Sequence, residues 1–355
     1  MDTFLYSLPV IGLLFQVVGY LIAILPTSAP IILRAATPLG FGALCGVVCE
    51  RSGVVNIGIE GTMLTAAFTG WVVAIAAVAV LGPMAPGPLG ITPTLIIGLV
   101  AAILSAVGVS LLHAWLSISL RIDQIISGTI INIAAFGITG YLNNVISAAS
   151  PTSAGQFEKF RPPAALMDLP FVGWLFTTIL NQGPITISLL VCAIVLQVLL
   201  FRSRWGLRTR AVGEHPKAAE TVGIDVIRLR YRNVLIGGVF AGLGGAFLSM
   251  ELSNAFQAGQ TAGRGFIALA AMIVGRWTPL GGLGAALLFS LFLTIGQTIG
   301  FDPPTGQLGE VVAALPDQVF SALPYLVTIV VLAGLIGRST PPAADGRPYE
   351  REATA

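Results

Sequence analysis

The residues able to do acid–base, nucleophilic or metal chemistry are few and scattered. His113 and His215 are the only histidines, too far apart for a helical metal pair and without an evident partner set for catalysis. Cys45 and Cys49 fall one helical turn apart on an apolar stretch, which suits small packing residues better than a metal or redox pair. Cys192 stands by itself. Neither lysine, Lys159 or Lys217, sits in a G-x-x-x-x-G-K-[ST] string, so the chain has no phosphate-cradling loop of its own. An intramembrane enzyme would need a nucleophile–base or metal set, and none is evident. What remains is the chemistry of recognition: amides and isolated charges set in apolar runs, at Arg34, Asn56, Glu60, Asn132, Asn143, Asn144, Glu251, Arg264 and Gln297.

The elements that hold these residues must be membrane helices. Of 355 residues, 55% are hydrophobic and only 10% charged, with a mean hydropathy of +0.90. An ordinary soluble domain carries roughly 25% charged residues. Here 18 basic and 16 acidic side chains cannot keep the surface of a 36.8 kDa globule wet. Each crossing of a ~30 Å hydrocarbon core takes roughly 20 residues, so a dozen spans at most would use the chain, and no separate soluble domain remains. The 42 glycines suit close-packed or broken membrane helices. A net charge of +2 describes no nucleic-acid surface. The start, Met1-Asp2-Thr3, lacks a basic n-region, so 4–25 reads as a retained span.

The expected fold is an all-α polytopic membrane protein of about ten spans (8–10), some broken or re-entrant, in two pseudo-symmetric halves. The apolar segments are 4–25, 28–49, 62–82, 94–118, 124–146, 184–201, 233–252, 265–275, 280–300 and 319–337. The eighth is too short to cross alone, so it is half of a broken helix or borrows residues from its flanking loop. Residues 171–180 are also apolar but short, and Trp174 suggests an interfacial helix. Eight of the eighteen basic residues lie between Arg202 and Arg232, against Glu214, Glu220 and Asp225. Placing that loop in the cytoplasm and alternating ten spans brings both termini inside, together with Arg51, Arg121, Arg276, Arg338, Arg347 and Arg351. That is 14 of the 18, as the positive-inside rule requires. The Pro- and charge-rich segment 338–355 reads as a solvated cytoplasmic tail.

Three stretches interrupt the apolar pattern. In the first, 50–61, charge, amide and glycine separate two spans. It is either a tight cytoplasmic turn with an Arg–Glu surface pair, or an unwound segment lining a solute pathway with Asn56 and Glu60. Glu60 could also cap the N-terminus of the next helix. In the second, Pro216 fits the first position of a helix of about two turns and Gly223 its C-terminal cap. This is a topology-setting basic loop, or a helix gripped by a soluble partner through exposed Ala218, Ala219, Val222 and Ile224. Lys217 could alternatively meet anionic lipid. In the third, 261–266, Arg264 either snorkels to an interface or receives a docking protein. Asn132 is the best buried amide, as an interhelical bond or a pathway group. Phe266 and Phe136 are aromatic candidates for stacking on a solute.

The strings ERSGVVNIGIEGTML (50–64), RAVGEHPKAAETVGIDVIRLRY (210–231) and TAGRGFIALAAMIVGRWTPLGG (261–282) closely resemble the permease subunits of bacterial ABC importers. The branch groups branched-chain amino acid, ribose-type sugar and nucleoside systems, and the nucleoside permeases are the nearest match. The tail string PPAADGRPY is similar to theirs, and the resemblance covers residues 30 to 350. It implies a non-catalytic permease of the bacterial inner membrane that forms the pathway for nucleosides. It implies a coupling helix within 213–224, in the loop 202–232, with Gly213, Glu214, His215, Pro216, Lys217, Ala218, Ala219 and Gly223 meeting the ATPase. The implied partners are an ATP-binding subunit carrying ATP and Mg, a second related permease and an extracytoplasmic binding lipoprotein. No cofactor is expected on this chain. Asn56, Glu60, Asn132 and Phe266 are the pathway candidates and Arg264 the candidate for binding-protein docking. A simple sugar such as ribose is the alternative cargo. An ion-coupled carrier would need buried Asp, Glu or His, in which the chain is poor.

Overall fold

The computed structural model describes residues 9–149, 155–167, 172–301, 303–316 and 339–350, with isolated positions 153, 169, 318, 319, 322 and 326. Among these, all regular structure is helical: α1 (Pro9–Glu50), α2 (Ile59–Leu81), α3 (Pro93–Ala114), α4 (Gln124–Ala149), α5 (Ala164–Met167), α6 (Gly173–Leu180), α7 (Pro184–Arg202), α8 (Arg204–Glu214), α9 (Pro216–Thr221), α10 (Val226–Ala246), α11 (Arg264–Val274), α12 (Pro279–Phe301) and α13 (Gln307–Ala313). A π-helical turn continues α3 through Trp115–Ser119 and another continues α10 through Phe247–Leu252. Seven of the helices are long and apolar enough to cross a membrane. This makes the chain a polytopic membrane protein.

Local chemistry sets the helix starts. Pro93, Pro184 and Pro216 open their helices, where a missing N–H costs nothing and φ is already helical. Thr92, Ser203 and Asp225 cap α3, α8 and α10, accepting from Leu95 N, Gly206 N and Arg228 N at 3.2, 3.1 and 3.0 Å.

Several segment boundaries differ from the sequence expectation. Segments 4–25 and 28–49 are not separated by a turn: α1 is one helix of 42 residues. At 1.5 Å per residue it rises about 63 Å, twice a hydrocarbon core. Pro26 and Pro30 do not break it. Nearby, the Thr27 hydroxyl donates to Ile24 O at 2.9 Å, and Gln182 Nε2 donates to Pro30 O at 3.0 Å. α10 begins seven residues before segment 233–252, carrying Arg228, Arg230 and Arg232 on its first turns. α11 has only eleven residues, as the short eighth segment suggested. Segment 319–337 lies almost wholly outside the described residues.

The chain divides into two compact units. The smaller comprises residues 1–36, 161–182 and 287–336. There Gln16 accepts from Leu308 N at 3.0 Å, tying α1 to α13. The larger comprises residues 37–160, 183–286 and 337–355. Its core is α2, α3 and α10 packed on one another, with α4 against α2. Small residues make this possible. A Cβ on Gly98 would stand 2.6 Å from Gly70 O, and one on Gly245 only 2.2 Å from Met63 O. Backbones this close gain dispersion contacts that membrane helices cannot obtain from the hydrophobic effect. The outward faces carry Leu104, Ile133, Phe136 and Val198, all more than half exposed, the composition of a lipid-facing surface.

Gly245→Val should therefore lower the thermal midpoint of the purified protein, at a cost of about 2 kcal/mol. Gly284→Ala, with nothing within 4 Å of the added methyl, should be neutral or stabilising. Detergent-phase melting of the two variants compares them directly.

Candidate functional site

The stretch after α1 leaves the helix while still buried. Gly53 turns the chain at φ +84, and Gly53 N and Val54 N bond back to Glu50 O and Cys49 O. Beyond that turn the backbone polar groups need other partners, and side chains supply them. Val55 N donates to Gln124 Oε1 at 2.7 Å, and Val55 O accepts from His113 Nε2 at 3.0 Å. Since a carbonyl can only accept, His113 carries its proton on Nε2, and Nδ1 accepts from the Ser127 hydroxyl at 3.1 Å. Ile57 O accepts from Asn132 Nδ2 at 3.0 Å, and Gly61 N donates to Asn132 Oδ1 at 2.7 Å. Gln124 and Asn132 are eight residues apart on α4, about 12 Å of helix, so the segment runs deep along it. The segment is therefore buried and unwound rather than an exposed surface turn. Asn56, 1% exposed, donates to the thiols of Cys45 and Cys49 at 3.7 and 3.8 Å, so the cysteines pack around an amide.

Glu60 does not cap its own helix. The residue before α2 is Gly58, which makes no side-chain cap. Instead Glu60 reaches the N-terminus of α11, where Oε1 accepts from Gly263 N at 2.8 Å and Oε2 from Gly265 N at 2.6 Å. A carboxylate here complements the positive end of the short helix. Gly265 is required for the approach, since a Cβ would meet Glu60 Cα at 2.6 Å. Glu251 does the same for α7. Buried at 1% exposure, it accepts from Ile185 N at 2.7 Å, Thr186 N at 3.2 Å and the Thr186 hydroxyl at 2.6 Å. In the sequence Glu251 is an isolated charge in an apolar run, and nothing near it marks this role. The available signal was that α7 and α11 start at Gly183 and Gly263, with no capping side chain of their own.

Glu50 and Arg51 join a third element. Arg51 Nε and Nη2 donate to Trp277 O and Arg276 O at 2.8 and 3.1 Å, and Trp277 Nε1 donates to Glu50 at 2.6 Å. Arg276 and Trp277 both have left-handed φ, 53 and 52, so these bonds hold a strained turn between α11 and α12. The Arg–Glu surface pair considered for this stretch is absent among the described residues.

The loop 202–232 forms α8 and α9. Pro216 opens α9, and Gly223 ends it at φ +82, with Ile224 N bonded to Ala219 O at 3.1 Å. Glu214, His215, Lys217, Ala218, Val222 and Gly223 are exposed and Pro216 is partly so. Gly213 and Ala219 are not available to a partner. A Cβ on Gly213 would stand 2.3 Å from Arg51 O, and Ala219 packs with Val212, Val226 and Tyr349. Ile224 is half-buried against the same cluster.

Tyr349 belongs to the segment read as a solvated tail, and residues 339–350 are instead a strap folded onto the larger unit. Proline and charge here do not signal solvation, because the strap's partners are groups far away in the chain. Ala344 N donates to Gly213 O at 2.9 Å, Ala343 N to Glu214 at 3.2 Å, and the Tyr349 hydroxyl bonds Glu220. Arg230, 1% exposed, donates to Ser52 O and Arg347 O at 3.0 Å each. Arg121 and Glu350 pair at 2.7 Å. Burial pushes the Asp345 carboxyl up to about 7, against a hydrogen bond with Glu50, one from the Gly346 amide, and the Arg230 charge.

The structure thus brings Asn56, Glu60 and Asn132 together around one unwound segment. Glu60 and Asn132 spend their bonding capacity on backbone, whereas Asn56 donates to two thiols and its Oδ1 is buried without a hydrogen-bond partner among the described residues. Phe266 follows on α11 and is 49% exposed, whereas Phe136 lies on the outer face of α4. Arg264 Nη1 folds back onto Gln260 O and Thr261 O at 3.0 and 3.2 Å.

Membrane-length helices, buried breaks between them and a short exposed helix on a basic loop define a transport-type polytopic protein. A family profile described as "Branched-chain amino acid transport system / permease component" matches residues 29–332, and the chain belongs to that family. It is 38% identical to the guanosine ABC transporter permease protein NupQ of Bacillus subtilis over 93% of this chain and 98% of that one. It is 36% identical to the nucleoside ABC transporter permease protein NupC of Lactococcus lactis, over 88% and 93%. A putative glucose ABC transporter permease protein, TsgC13 of Haloferax volcanii, is 33% identical over 90% and 96%.

Two predictions follow the geometry. Glu60→Ala removes both acceptors from the α11 N-terminus and should cost roughly 1–3 kcal/mol of stability; Glu60→Gln keeps one acceptor and should cost less, as thermal melting would register. For Asp345, the folded carboxyl binds its proton more tightly than a free one. Its contribution is in place below about pH 4 and is lost as pH rises through about 7. Hydrogen exchange at Ala343 and Ala344, corrected for intrinsic rate, should be faster at pH 8 than at pH 6, and Asp345→Asn should flatten the difference.

Proposed function

We propose that this chain is the non-catalytic, pathway-forming permease of an ATP-driven importer of nucleosides. The carrying observation is the end-to-end similarity to permeases named for guanosine and nucleosides. In this reading ATP and Mg are held by a separate ATP-binding subunit, and this chain pairs with a second, related permease. A lipid-anchored extracytoplasmic protein delivers the nucleoside, with Arg264 in the mouth that receives it. The setting is the bacterial inner membrane, with both termini in the cytoplasm.

Several features support this. Arg51, Arg210, Arg230, Arg276 and Arg347 gather with the loop 202–232, at one end of the larger unit, consistent with a cytoplasmic end. The helix α9 presents Lys217 and Ala218 outward between two anchored elements, so a push on it is carried inward. The route runs from Gly213 against Arg51, through Arg51 to the 276–277 turn, and through Glu60 to the start of α11. Few charges lie in the apolar helices, and Glu60 and Glu251 are bonded to helix ends. That favours a neutral polar solute over an ion. A glucose-type cargo is the second reading, favoured by the Haloferax relative.

Uptake of radiolabelled adenosine, uridine and ribose by a deletion strain carrying the restored gene separates the cargoes. Nucleoside uptake is expected; uptake of ribose alone would refute the nucleoside reading. Transport that survives loss of the ATP-binding subunit but not an uncoupler would instead indicate an ion-coupled carrier. Ala218→Arg should lower ATP-driven uptake at least about tenfold, the scale of one interface residue, while membrane insertion is unchanged.

A further inference from the structure

We propose that the C-terminal strap, residues 339–350, is part of the surface that receives the ATP-binding subunit, standing as the second wall of the socket around α9. It rests on the reading of α9 as the coupling helix and adds a contact surface from the other end of the chain.

The strap and α9 face each other across a groove of about 890 Å³, lined on one side by residues 214–218 and on the other by 343, 344 and 347–350. A partner gripping the exposed start of α9 must therefore touch the strap as well. The two walls are fastened together: Ala343 and Ala344 bond to Glu214 and Gly213, and Tyr349 bonds Glu220 beyond them. Tyr349 also fills the apolar cluster beneath α9 with Val212, Ala219 and Val226. The strap is anchored independently of α9, through Arg230 to Arg347 O and through Arg121 to Glu350. It is thus a brace that fixes where α9 stands relative to α10. The groove carries both signs of charge, Glu214 and Glu350 with Lys217 and Arg347. Mixed charge with an apolar floor suits a folded protein surface better than a layer of anionic headgroups. Ala343, Arg347 and Pro348 are exposed and make its outer wall.

The test uses the complete transporter, with both permeases, the ATP-binding subunit and the binding protein. The photo-crosslinking residue p-benzoylphenylalanine is placed singly at position 218, at position 348 and, as a lipid-facing control, at position 104. Crosslinks from 218 and 348 to the ATP-binding subunit, with none from 104, are expected. A crosslink from 218 without one from 348 would overturn the strap proposal and leave the coupling helix standing. No crosslink from either would overturn the coupling-helix reading and the strap with it, and a lipid adduct at 348 would make the strap a membrane contact. As a functional arm, Ala343→Arg should lower ATP-driven uptake about tenfold with the amount of assembled complex unchanged. Uptake at the unmodified level would overturn the proposal.

Discussion

Everything in the larger unit depends on finding hydrogen-bond partners for a backbone that leaves its helix while still inside the protein. From Gly53 to Gly61 the chain has no continuous ladder of its own. A buried amide without a partner costs about 1–3 kcal/mol, and more where lipid surrounds it. The requirement is met by Gln124, His113 and Asn132, three side chains from α3 and α4 that act on peptide groups. Because those helices serve this segment, they are fixed in register against α2. The glycine-mediated approach of α10 then follows from how closely α2 and α3 can lie.

The two buried carboxylates extend the same logic to helix ends. Every α-helix leaves orphan N–H groups at its start, and within apolar surroundings water cannot fill that need. Glu60 and Glu251 do so for α11 and α7, from elsewhere in the chain. A negative charge at a positive helix end is a cheaper burial than an isolated ion. The few intramembrane acids are thereby accounted for by structure, and the pathway of a permease built this way would be lined by neutral groups.

How much of this was legible depended on how local the cause was. Membrane character followed from charge scarcity, and most helices from apolar length with proline at the start. Pro216 and Gly223 marked α9 to within two residues at its C-terminus because its signals are contained in a few positions. Glu60 stood out as a residue needing an explanation, but its partners at 263 and 265 are two hundred positions away, so a solute pathway and the nearest helix were what suggested themselves. Ala219 looked as exposed as Ala218, since a six-residue helix has too little periodicity to declare its inner face. The strap was opaque for another reason. Pro341, Pro342 and Gly346 resemble a disordered composition, yet they shape turns whose amides and carbonyls meet Gly213 and Arg230. The division between 4–25 and 28–49 failed because the helix continues through Pro26 and Pro30 without a turn.

The central proposal is that Arg51, at the head of the unwound segment, transmits motion from α9 to the membrane helices. The most direct measurement is the ratio of ATP hydrolysed to nucleoside taken up by the complete complex in proteoliposomes, before and after Arg51→Ala. That change removes the bonds to Arg276 O and Trp277 O. Continued hydrolysis with uptake reduced at least about tenfold, the scale of one lost interaction of ~1.4 kcal/mol, is the predicted result. Uptake and hydrolysis both kept at the unmodified ratio would contradict the account.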